Sequence, residues 1–182
     1  MSGVLVLWTG KRGAPAWEQL VEEYRLRVSR HMPAAEVRLR PAEGRAGDPG
    51  RVLAFEARQL AAHLAAGDVL VALDERGEEL DSEALARWLG ARRQCSRVVM
   101  AIGSDLGLEP GFVERADLRL ALSRLTLPHQ LARLVLWEQL YRAADLLAGG
   151  SYHRGAVGRE RPGKDQFAGP SPAPRGSAGG RV

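Results

Sequence analysis

Three stretches of this 182-residue chain bring together residue types that can bind or transform a ligand. The run Tyr152-His153-Arg154 sets an imidazole, able to exchange a proton near neutral pH, between a phenol and a permanent cation. Two glycines bracket the loop Gly103-Ser104-Asp105-Leu106-Gly107, and Ser123-Arg124-Leu125-Thr126-Leu127-Pro128 forms a second loop that ends in proline. Taken alone, the first stretch reads as exposed side chains and the glycine loop as a turn. The four histidines, His31, His63, His129 and His153, include no pair with the spacing of a helical metal site, so no metal is expected. His129 reads as a helix-start residue with a satisfied ring. Neither G-x-G-x-x-G nor G-x-x-x-x-G-K-[ST] occurs, which argues against a nicotinamide enzyme of the usual kind and against an NTPase.

The elements that must position these residues can be read from hydrophobic periodicity. Continuous apolar runs at 4–9, 69–73, 97–102 and 118–122 read as buried strands, and residues 35–40 alternate as a strand with one wet face, suited to a sheet edge. Between them, Trp17, Leu20, Val21, Tyr24 and Val28 mark a helix from Pro15. Leu53, Leu60 and Leu64 mark a second over 51–66, and Leu85, Trp88 and Leu89 a third that Asp81 or Ser82 can cap. Residues 41–50 read as a flexible loop and 75–79 as a polar turn. Strand and helix alternate throughout, which predicts an α/β domain with a largely parallel sheet, whose ligands bind beyond the carboxyl ends of the strands. The long helix over 128–147 carries apolar residues on too much of its circumference to be buried on one side only, which predicts a second cover and hence a homodimer. Glu138, Arg142 and Asp145 form its narrow polar stripe.

Composition narrows the classes further. The single cysteine, Cys95, cannot form an internal disulfide or a thiolate cluster, and no apolar run approaches the roughly 20 residues that span a bilayer. A soluble cytoplasmic protein is expected. The net charge is +4, and most of the surplus follows Gly155, where Arg159, Arg161, Lys164, Arg175 and Arg181 oppose Glu160 and Asp165. A core so near neutral must bind a polyanion through a local patch. The loop Gly10-Lys11-Arg12-Gly13 has the G-x-x-G pattern of a nucleic-acid clamp, yet it follows the first strand instead of joining two helices, so it reads as a basic turn able to touch phosphate. Residues 156–182, rich in Gly, Pro, Ser and Ala, read as a disordered tail after a single domain over 1–155.

Residues 122–143, LSRLTLPHQLARLVLWEQLYRA, followed by the terminal Tyr-His-Arg, resemble the signature of the ribosomal large subunit methyltransferase H family. The resemblance covers residues 1–155. It implies a SPOUT-type α/β-knot with a C-terminal trefoil knot, S-adenosyl-L-methionine as methyl donor, an obligate homodimer, and methylation of N3 of a pseudouridine in the 23S rRNA of the ribosome. The implied cofactor contacts are Leu73, Gly103, Ser104, Gly107 and the loop Ser123, Arg124, Leu125, Thr126, Leu127 and Pro128, mostly through main-chain groups, with adenine between Leu73, Leu125 and Leu127. His153, Tyr152 and Arg154 are implied as the catalytic residues, reaching the partner subunit's pocket to orient or deprotonate the base. Arg124, Lys11 and Arg12 are candidate phosphate contacts. Where the family commonly reads Gly-Gly-Pro-Glu-Gly, this chain has Ser104 and Leu106, so the side chain at 104 is expected to crowd the cofactor or to demand a backbone angle that glycine tolerates better, and Asp105 is the candidate for the displaced carboxylate. The rival from another class is a non-catalytic rRNA-binding or ribosome-assembly protein on the same fold.

Overall fold

Apolar runs too short for helices and rich in Val, Leu and Ile become the strands of one five-stranded sheet. In the computed structural model, which describes residues 3–42, 48–92 and 96–152, these are β1 (Val4–Thr9), β2 (Ala34–Leu39), β3 (Val69–Glu79), β4 (Val98–Ile102) and β5 (Leu118–Ala121). The order is β2-β1-β4-β3-β5 and every pairing is parallel. The expected edge position of β2 holds, since it pairs only with β1.

Alternation along the buried strands divides the core into two layers. Val4, Val6, Trp8, Val71, Val98, Met100 and Ile102 face α1 (Pro15–Ser29), α3 (Ser82–Arg92) and α5 (His129–Leu147). Leu5, Leu7, Leu70, Val99 and Ala101 face α2 (Pro49–Ala61) and the short α4 (Pro110–Glu114), which contribute Leu60 and Phe112. Helix α5 packs between α1 and α3, burying Leu136, Trp137, Leu140, Ala143 and Ala144, while Leu131, Leu134 and Val135 stay partly exposed.

Two expectations are corrected. Residues 75–79 do not form a turn, because β3 continues to Glu79 through an irregularity after Leu73, pairing Glu78 with Leu120 and Glu79 with Ala121. Gly77 lets this segment lie on β5, since a side chain there would collide with the backbone of Arg119. Helix α2 spans 49–61 instead of 51–66; Asp48 caps it by accepting from the Gly50 N–H at 3.0 Å, with Pro49 in its first turn. The loop after β4 contains α4, started by Pro110 and capped by the Glu109 carboxylate on the Phe112 N–H at 2.7 Å. Asp81, as expected, caps α3 through the Ala84 N–H at 2.8 Å. His153, Arg154, Cys95, the tail and residues 43–47 of the expected loop lie outside the described residues.

Candidate functional site

The carboxyl ends of β3, β4 and β5 open into one cavity of about 690 Å³. That volume lies in the usual range for small-molecule sites, about 300–1,000 Å³. One wall is β3 at its irregularity, from Leu73 to Arg76; a second is the glycine loop after β4; a third is the loop after β5 together with the first turn of α5. Leu73, Gly103, Ser104, Gly107, Ser123, Leu125, Thr126, Leu127 and Pro128 all line it. Arg124 does not. It is exposed, and its Nε donates to Glu79 at 3.1 Å.

Local chemistry explains the shape of each wall. A side chain at Gly103 would overlap the carbonyl of Gly107, so glycine is required there by close approach. Gly107, at φ +80°, closes the turn with its N–H on the Ser104 carbonyl at 2.8 Å. The Ser104 hydroxyl is packed out of solvent-accessible space and has no hydrogen-bond partner, so the crowding expected at 104 is not directed into the open cavity. In the third wall the Ser123 hydroxyl accepts from the Leu125 N–H at 2.9 Å, and Thr126 donates to Glu75 of the first wall at 3.2 Å. Leu106 and Leu125 stand exposed on the cavity lining.

Several lining residues escaped the sequence reading. Asp74, Glu75, Arg76 and Arg119 enter because β3 continues past Leu73, and Asp74 faces Arg119 at 3.6 Å. His129 also lines the cavity, and its Nδ1 lies 2.9 Å from a carboxylate oxygen of Asp105. No local spacing announces that pair, since the two residues lie on different elements. The His129 ring stacks on Trp8, with centroids 6.2 Å apart and planes 23° from parallel.

Behind the cavity, α5 is anchored by charge. Arg133, whose side chain is only 4 % exposed, donates to Glu18 at 3.0 Å and to Glu36 at 2.5 Å, and lies 4.3 Å from the centre of the Trp8 ring. Burial opposes its charge, but the hydrogen bonds to Glu36 and Glu18 outweigh that and raise its pKa. The Glu18 carboxyl is held below its ordinary range, chiefly by the hydrogen bond from Arg133. The indoles of Trp8 and Trp137 also donate to Glu36, at 3.2 and 2.5 Å. The basic turn after β1 docks beside this network, with the Gln130 side chain donating to the Lys11 carbonyl at 2.7 Å and the Gly13 N–H donating to Glu18 at 3.1 Å.

Tyr152 lies elsewhere. It folds back on the last turns of α5, its N–H on Asp145 at 2.9 Å, its hydroxyl on Glu138 at 3.3 Å and its ring 4.7 Å from those of Tyr141 and below the Arg142 guanidinium. None of these residues lines the cavity. Its phenol is pushed up to about 12, first by hydrogen bonding with Tyr24 and then by burial. Among the described residues no group of His, Cys, Asp and Glu could hold a metal ion, and no helix is long and apolar enough to cross a membrane.

Residues 3–153 match the family model described as "Predicted SPOUT methyltransferase". The ribosomal RNA large subunit methyltransferase H of Solidesulfovibrio magneticus is 41 % identical over 155 residues, covering 84 % of this chain and 99 % of that protein. The protein of the same name from Rhizobium meliloti is 42 % identical over 151 residues, covering 80 % and 94 %. A solved structure of a probable methylase family protein from Haemophilus influenzae Rd KW20 is similar with a TM-score of 0.48 at 10 % identity, over 92 % of this chain and 75 % of that one.

Proposed function

This chain belongs to the SPOUT methyltransferase family, and from that premise we propose that it is an S-adenosyl-L-methionine-dependent homodimer that methylates N3 of a pseudouridine in 23S rRNA. The observation that carries the reading is the convergence of the glycine loop, the Leu73 strand end and the loop before α5 on one cavity. The residues there fit the cofactor. Backbone groups at 103–107 and 123–128 offer donors and acceptors to a nucleoside, and Leu73, Leu125 and Leu127 supply an apolar slot for a purine. The carboxylates of Asp74, Glu75 and Asp105 line the same cavity, together with the cations Arg76 and Arg119. Bound there, the cofactor supplies a methyl group on a positively charged sulfur, so the protein's own task is alignment and handling of the N3 proton. The C-terminal trefoil knot belongs to the same reading, as does a cytoplasmic location.

The dimer is supported by α5. Leu131, Leu134 and Val135 remain partly exposed after α1 and α3 have covered the other face. Tyr152 is held outside its own protomer's cavity, so in this reading Tyr152, His153 and Arg154 serve the partner subunit's cavity and orient the base, with Arg154 favouring its anionic form. The phenol of Tyr152 stays protonated at neutral pH and acts there as a donor. The basic turn at Lys11 and Arg12, docked on the first turn of α5, is the candidate contact for RNA phosphate. Arg124, outside the cavity lining, joins them.

A methyl-transfer assay on ribosomes that carry or lack the pseudouridine tests the substrate, and calorimetry with S-adenosyl-L-methionine tests the cofactor. His153→Ala is expected to lower turnover far more than cofactor affinity; equal turnover in the variant contradicts the assigned role. Absence of binding at millimolar cofactor would favour a non-catalytic RNA-binding protein on this fold.

A further inference from the structure

Arg38 and Arg40, on and just after the edge strand β2, serve neither the core nor the cavity. All five strands are parallel, so their carboxyl ends share one rim, and the cavity occupies only the half over β4, β3 and β5. Resting on the function proposed above, we infer that the other half, at the ends of β1 and β2, is the seat for the phosphates of the single-stranded RNA that flanks the target base, with Arg38 and Arg40 extending the basic turn. Three features build it. The Gly10 N–H donates to the Leu39 carbonyl at 3.2 Å, which sets Lys11 and Arg12, just after Gly10, beside Arg40, just after Leu39. Glu36 points to the side of the sheet where the Trp8 and Trp137 indoles reach it, and alternation carries Arg38 to that same face. In register Arg38 stands opposite Trp8, whose ring stacks on His129 of the cavity wall.

Positive charge is in excess on this rim. Lys11, Arg12, Arg38 and Arg40 are all exposed, and among the described residues neither Arg38 nor Arg40 forms an ion pair. The carboxylates nearby are engaged: Glu18 and Glu36 on Arg133, Glu22 on Arg25, and Glu56 buried with the Ala42 N–H donating to it at 3.3 Å. A guanidinium presents a planar fork of donors that matches phosphate oxygens. The spacing also fits. β2 lies two strands from β4, roughly 10 Å at the usual separation, so a base held in the cavity brings its neighbouring phosphates to the rim. N3 lies on the pairing edge of the base, so the target has to be presented unpaired and out of the stack. Trp8 is buried and offers no ring face to a base, so contacts here go to the RNA backbone and carry no sequence information. The rim positions the strand and the cavity selects the base.

Binding of a labelled oligouridine, followed by fluorescence anisotropy across a range of salt concentrations, tests this. In the double variant Arg38→Gln with Arg40→Gln, the slope of log K against log salt should fall by about 0.7 for each charge removed. Arg115→Gln, beside the amino end of β5 on the opposite rim, should leave the slope unchanged. All three arginines are exposed, so the substitutions leave the core intact. A native chain that does not bind the oligouridine, a double variant with the native slope, or an equal fall in Arg115→Gln overturns the inference. On ribosomes the double variant should raise KM while kcat and the calorimetric affinity for S-adenosyl-L-methionine stay as they were, because a phosphate contact holds ground and transition states alike. Weaker ribosome binding with an unchanged oligouridine slope would give this face to a ribosomal protein and also overturn the inference. If the native chain methylates no rRNA, the function fails, and the oligouridine slopes still decide the rim by themselves.

Discussion

The two ends of α5 use the same pairing, an arginine on a glutamate beside an aromatic ring, in opposite surroundings. Near the amino end, Arg133 is buried, bonded to two carboxylates from α1 and β2, and set against Trp8. Near the carboxyl end, Arg142 is 25 % exposed, bonded at 2.6 Å to Glu138 one turn earlier, and set against Tyr152. The first end ties three elements of one chain together and fixes the wall of the cavity. The second joins the helix to Tyr152 beyond its end, whose phenol also hydrogen-bonds with Tyr24 of α1. Burial, more than the pairing, decides which end is rigid. A charge removed from the buried end leaves its partners stranded, whereas at the exposed end water replaces what is lost.

Arg133→Met should have the largest effect, a loss of about 3–5 kcal/mol in thermal or denaturant unfolding, because Glu18 and Glu36 are left without their cation. Acid should act on the same place. The folded pKa of Glu18 is depressed, so its contribution is complete above the ordinary glutamate range and is lost as pH falls through the lower folded value. Unfolding midpoints measured down that range should fall less steeply in Arg133→Met than in the native chain. At the other end, Arg142→Met should cost less than about 1 kcal/mol. Equal losses at the two ends would break the comparison. The smallest effect is alkaline: the raised Tyr152 pKa adds stability below the tyrosine's unfolded value, and this fades as pH rises towards about 12. A difference absorbance titration against Tyr152→Phe should show a phenol ionising near that value.

Much of this was legible along the chain, for reasons that particular residues make clear. Val4–Thr9 and Val98–Ile102 are apolar at nearly every position because they are buried on both faces, and their reading as strands needed no partner. Glu75–Glu79 misled because charge and Gly77 mimic a turn, while the pairing that extends β3 comes from β5, about forty residues later. Helix α4 is too short for periodicity and is marked only by Glu109 and Pro110. The cavity's loops were visible because a backbone-lined site needs glycine and proline, which local reading detects. The Arg133 network and the His129–Asp105 pair were not, since each joins residues on separate elements and neither leaves a repeat or a spacing in the sequence. The C-terminal Tyr152 was marked by type, and its seat on Glu138 and Asp145 appeared only in three dimensions.

The strand order carries a consequence for synthesis. The first strand made, β1, lies inside the sheet between β2 and β4, matching Val4 with Val98. At translation rates of about 5–20 residues per second, β1 and β2 wait on the order of 5–20 s with one edge open before Ile102 leaves the ribosome. Throughout that interval Leu5 and Leu7 lack their neighbours Val99 and Ala101, and the nascent chain presents an apolar edge to whatever binds such edges. Closure over so long a loop makes folding a late and cooperative event, completed only when the chain that builds the cavity has been made.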